Sequence, residues 1–130
     1  MLPLFAIQAA VYTKLSADPL LAGKVFDYVP DGTAFPYVRV GEAYDTSDNA
    51  LASRGWSTQI AVHVWSQAHG FSESLALAKR VTELLDLTPL TVAGFVHIAT
   101  RYETAQTMVD PEPPGDIRHV VINFTVITEE

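Results

Sequence analysis

The stretch from Trp56 to Leu85 constrains this chain most. Trp56, Thr58, Ile60, Val62 and Val64 alternate with Ser57, Gln59, Ala61, His63 and Trp65, and because strand side chains alternate with period two, the first set shares one face. That face is apolar and needs a cover. After a Gln67-Ala68-His69-Gly70 link, Phe71, Leu75, Ala78, Val81 and Leu85 recur at steps of three and four, with Glu73, Lys79, Arg80 and Glu83 mostly outward. An amphipathic helix over 71–85 supplies the cover.

The flanks extend this unit. Pro3 suits a helix's first turn, and Leu4, Ile7, Val11 and Leu15 follow at helical spacing, which predicts a helix over 3–16. It ends at Ala17-Asp18-Pro19, since the residue before a proline is pushed out of helical dihedrals. Val25–Val29 reads as a short strand, and Phe35–Val40 as an extended run whose Pro36 marks a strand start or an edge. Glu42–Gly55 is polar, without apolar periodicity, and reads as a long loop. Val92–Glu103 reads as a strand with Val92, Val96, Ile98 and Tyr102 on one face and Phe95, His97, Ala99 and Arg101 on the other. Thr104–Asp116, with Pro111, Pro113 and Pro114, reads as an acidic excursion. Ile117–Ile127 then alternates cleanly, with Val120, Ile122, Phe124 and Val126 together. This order predicts an α+β fold: a mainly antiparallel sheet, two helices packed on one face, and a long hairpin at the C-terminus. A chain of 130 residues is the size of one domain, so residues 1–130 are expected to form a single one.

Composition excludes several functions. With no cysteine, disulfides, thiolate metal sites and cysteine nucleophiles drop out together. The net charge is −7, and only eight Lys and Arg are scattered along the chain, whereas gripping a nucleic-acid backbone requires clustered cations. No segment is apolar for long enough to span a bilayer. The opening Met1–Ile7 lacks the basic leader of a signal peptide, so a soluble, intracellular product is expected.

Catalytic patterns are missing as well. Ser66, Ser72, Ser74 and His69 lack a glycine-flanked nucleophile elbow, and the glycines are too isolated to cradle phosphate. If Ile60/Val62/Val64, Val96/Ile98 and Val120/Ile122/Phe124 share the covered face, His63, His97 and His119 all emerge on the other. Imidazoles on adjacent strands can hold zinc, but one histidine per strand is a loose pattern that polar or interface histidines also explain. No metal and no cofactor is assigned. Trp65, Phe95, Val121 and Ile127 share that second face, and such a mixture suits burial against another subunit. A small-ligand module, with its pocket between helix 3–16 and the sheet, and a metal-dependent enzyme built on the three histidines remain as alternatives.

Ile7-Gln8-Ala9-Ala10-Val11-Tyr12-Thr13-Lys14-Leu15-Ser16-Ala17-Asp18-Pro19, then Val25-Phe26-Asp27 with Val29-Pro30, then Pro36-Tyr37-Val38 with Gly41-Glu42, resembles the tail-completion family of long-tailed bacteriophages, prophages and gene transfer agents. His63-Val64-Trp65-Ser66 before Gly70 and an Ala/Leu-rich helix is similar to that family's strand-to-helix passage. Val109-Asp110-Pro111 before Arg118-His119-Val120 is similar to its final hairpin. The resemblance spans nearly the whole chain. It implies a non-enzymatic tail terminator: a homo-hexameric ring that caps the tail tube protein and meets the head-tail connector or stopper protein. DNA would pass through without specific binding, and no membrane is involved. The protein would occupy the bacterial host cytoplasm during assembly and the head-tail junction of the finished particle. Trp65, Phe95, His97 and His119 are the expected subunit-interface residues. Glu42, Asp45 and Asp48 in one loop, and Asp110, Glu112 and Asp116 in the other, are the expected contact elements, turned either to the channel or to the neighbouring rings.

Overall fold

The computed structural model describes residues 2–49, 54–110 and 117–130. The element order is α1 (Leu4–Ser16), β1 (Val25–Phe26), β2 (Tyr37–Ser47), β3 (Gly55–Ser66), α2 (Ser72–Leu85), β4 (Val96–Asp110) and β5 (Ile117–Glu129). The five strands form one sheet in the order β1-β2-β3-β5-β4. Among the described strands only the β1–β2 pair is parallel, and both helices lie on one face, so the α+β expectation holds.

The core lies between that face and the helices. Val38 and Val40 from β2, Ile60, Val62 and Val64 from β3, and Val120, Ile122, Phe124 and Val126 from β5 meet Ile7, Val11 and Leu15 of α1 and Ala78, Val81 and Leu85 of α2. Each fully buried Val, Ile or Phe contributes roughly 1.5–3 kcal/mol through removal from water, which fixes the phase of the two central strands. In α2, Leu75 points outward, contrary to expectation, and Ser74 takes the buried position. Its hydroxyl can do so because it donates to the Phe71 carbonyl at 3.2 Å. The turn after α1 is clasped to α2: buried Asp18 accepts from Arg80 Nε at 3.1 Å and from the Leu20 N–H at 3.2 Å.

Two expected loops are strand for much of their length. β2 runs on through Ser47, pairing Ala43 to Ser47 with Ile60 to Trp56 of β3, so Glu42 and Asp45 are strand residues and Asp48 follows the strand end. A bulge between Val40 and Ala43 breaks the alternation, which hides the strand from a period-two reading. β4 likewise continues to Asp110, which pairs with Ile117. Ala50 to Ser53, and the expected contact residues Glu112 and Asp116, lie outside the described residues.

The faces of β4 also need correction. The register shifts between His97 and Ala99, and His97 pairs with fully buried Thr128 while Val96 and Ile98 are about half exposed. His97 therefore lies on the helix-covered side, and the expected alignment of three histidines on the opposite side does not form. The bulge supplies one extra residue, which reverses the phase of everything before it.

Candidate functional site

The face of the sheet away from the helices carries a connected polar and aromatic cluster. β3 and β5 pair Trp65 with His119 and His63 with Val121, and β2 pairs Arg39 with His63 and Tyr37 with Trp65. Paired residues on neighbouring strands share a face and touch. The Trp65 and His119 rings stack with centroids 3.7 Å apart and planes 8° from parallel, and the His63 ring lies 4.9 Å from that of His119.

Hydrogen bonds lock the stack. Glu42 reaches His63 Nε2 at 3.0 Å, and His63 Nδ1 meets His119 Nε2 at 2.7 Å. A carboxylate only accepts, so with both rings neutral His63 Nε2–H donates to Glu42 and His119 Nε2–H donates to the bare His63 Nδ1. Burial pushes the His119 pKa down to about 4, helped by His63 and opposed by the acids Asp110 and Glu42. The Glu42 carboxyl sits below its ordinary range, chiefly because its own backbone N–H bonds it, with His63 and Arg39 adding to this against partial burial. Gly41 makes room for the assembly: a Cβ there would lie 2.6 Å from His63 Cδ2 and 3.0 Å from the Ala61 carbonyl. Beside Glu42 a shallow hollow of about 310 Å³ is lined by Ala43, Tyr44, Gln59, Ala61 and Asn123.

Of the residues expected at an interface, the structure brings Trp65, His119 and Glu42 together, with Asp110 near enough to act on His119, and places Phe95, His97 and Asp45 elsewhere. Phe95 packs edge-on against Trp56 on the covered face, with centroids 5.3 Å apart. His97 bonds Thr100 Oγ1 through Nε2 at 2.7 Å and accepts the Leu90 N–H at 3.3 Å, which ties the segment after α2 to the sheet; burial lowers its pKa. Asp45 accepts from Thr58 Oγ1 at 3.1 Å. Sequence reasoning missed the Glu42–His63 link that holds the stack. The Gly41-Glu42 pair was its signal, since glycine inside a strand often marks a bulge or a close approach.

A second surface lies on the helix side. Phe5, Ala6, Ala9 and Thr13 of α1 face Pro89, Leu90, Ala93 and Phe95 across an open groove of about 630 Å³, and Leu2 and Phe5 stand exposed at its edge. It lies between α1 and the segment before β4, not between α1 and the sheet, the place expected of a ligand pocket. Its lining is overwhelmingly aliphatic and aromatic, with only Thr13, Lys14 and Thr91 offering polar side chains. Among the described residues no cluster of three or more His, Asp or Glu is arranged to hold a metal.

Apolar and aromatic side chains are thus left partly uncovered on both sides of the sheet, the kind of surface that proteins use for contacts. The chain belongs to the tail completion protein gp17 family, whose model matches residues 9–129. It is therefore a structural protein of the phage tail class. It is similar to the tail completion protein gp17 of Bacillus phage SPP1, at 29% identity over 93% of this chain and 92% of that one. It is also similar to a chain in the virion of a native gene transfer agent particle, with a TM-score of 0.85 and 26% identity over 98% of this chain and 97% of the other.

Proposed function

We propose that the chain is a tail terminator: a single domain that assembles as a ring, expected to be hexameric, caps the tail tube and joins it to the head connector. The observation that carries this reading is polarity. The β2–β3 connection leaves from Ser47 and returns at Gly55, while β4 ends at Asp110 and β5 begins at Ile117, at the opposite end of the same strands. A strand of the length of β3, 12 residues, extends about 40 Å. A ring of such subunits would present two unlike rims that far apart, one for the tube and one for the connector. Asp45 and Asp48 belong to the first rim. Trp65, His119 and Asp110 belong to the second, and Glu112 and Asp116, outside the described residues, are kept as proposed contacts on their sequence alone.

Phe95 enters the contact surface through the apolar groove it lines, and His97 supports that wall. The net charge of −7 lets DNA pass without adhering, because a duplex is held chiefly by cations. The chain would be made in the bacterial host cytoplasm and end at the head-tail junction of the particle.

Tail tubes grown from the tube protein of the same particle provide the test. Added protein is expected at one tube end only, where it stops elongation and allows the connector to attach. Tubes that elongate at an unchanged rate with bare ends would overturn the reading.

A further inference from the structure

The sheet ends in two open edges of different character. On one side β1 pairs only with Val38 and Arg39, so the outer edge of β2 from Val40 to Ser47 is without a neighbour among the described strands. On the other side β4 is the last strand, and every residue from Arg101 to Thr107 is exposed, on both faces of the sheet. After its second bulge β4 keeps an unbroken register with β5 from Thr104 to Asp110. The run Thr104-Ala105-Gln106-Thr107-Met108-Val109 contains no charge, proline or glycine. Natural sheets protect long edges with those residues because unpaired N–H and C=O groups recruit another strand. This edge is unprotected where it is most regular.

We propose that β4 of one copy adds to the open Val40–Ser47 edge of β2 in the next copy, so that the ring wall is one continuous sheet. Resting on the ring reading above, this names the surfaces that make it. The pairs β2–β3, β3–β5 and β5–β4 are all antiparallel. β2 and β4 therefore run in opposite directions, and repeating the subunit edge-on brings them together antiparallel, the pairing the rest of the sheet already uses. The contact joins unlike surfaces, so it propagates until it closes. Charge also matches. The β2 edge bears Glu42 and Asp45, with Asp48 beyond, and β4 offers Arg101, exposed and without an ion pair among the described residues. The hollow lined by Tyr44, Gln59 and Asn123 opens beside Glu42 and can receive a guanidinium. Both helices then lie on one side of the wall and the Trp65–His119 stack on the other.

The chain has no cysteine, so introduced pairs read the contact directly. Tyr44→Cys is combined in turn with Arg101→Cys, Thr104→Cys or Gln106→Cys in the full-length protein, assembled on tail tubes and oxidised. Within one chain β2 and β4 lie three strand spacings apart, about 14 Å, beyond the roughly 7 Å that a disulfide tolerates between Cα atoms. Any bond must therefore join two copies. The expected result is a ladder of covalent oligomers ending at the ring, absent from every single variant, and Arg101→Glu weakening ring assembly on the order of tenfold. Rings of full mass in which none of these pairs cross-links would overturn the edge contact and leave the ring reading standing. Single β4 variants that form covalent dimers and stop would overturn it in favour of a two-fold β4–β4 pair. Absence of any ring would overturn both.

Discussion

Gly41 is where the Glu42–His63–His119 cluster is most sensitive to a single atom. A methyl group there meets the His63 ring, which His119 and Glu42 hold in place, and the Ala61 carbonyl, which belongs to the neighbouring strand. Neither obstacle is a free side-chain end, so Gly41→Ala must move β2 or break the stack. Overpacking of this kind costs about 1–3 kcal/mol, and the urea midpoint is expected to fall accordingly; a midpoint equal to that of the parent would show that the ring yields without cost. Aromatic fluorescence gives a second readout, because Trp65 lies against His119 at 3.7 Å.

The Asp18–Arg80 clasp acts between elements, joining the turn after α1 to α2. Arg80's hydrogen bond holds the Asp18 carboxyl below its ordinary range, against the opposing effect of burial. Because that folded-state pKa is depressed, the clasp's contribution is present above the unfolded carboxylate value and is lost as pH falls through the folded one. Arg80→Leu leaves Asp18 buried without its cation, so melting temperature drops at neutral pH. Without the cation, burial leaves the variant's Asp18 protonating at higher pH than the parent's, so the gap to the parent is expected to narrow as pH falls through the carboxylate range; a gap independent of pH would place the loss elsewhere. Most elements were legible in the sequence for one reason: Ile60, Val62 and Val64, or Val120, Ile122 and Phe124, alternate without interruption because both strands face the same helices. β2 and β4 were read less well because each contains a bulge. The Val40/Ala43 shift disguised a paired strand as a polar loop, and the His97/Ala99 shift moved His97 to the covered face. Period-two reasoning fails at one inserted residue, and the same bulge at Gly41 and Glu42 positions the Glu42–His63 contact.

For the whole molecule, the sheet's two unlike edges and two unlike ends suit a closed ring that stops a polymer. The three histidines weighed as a metal set are parted by the fold: His63 and His119 bond each other on the open sheet face, and His97 secures the segment after α2. Trp65 and His119 were legible as face-sharing neighbours because β3 and β5 both alternate cleanly, whereas their connection to Glu42 depended on a bulge that only the fold reveals. The measurement that tests the account most directly is the mass, by native mass spectrometry, of the particle formed on tail-tube ends beside that of the free protein. A closed ring of six 14.2 kDa chains on the tube ends is expected. A chain that stays monomeric and has no affinity for tubes would contradict it.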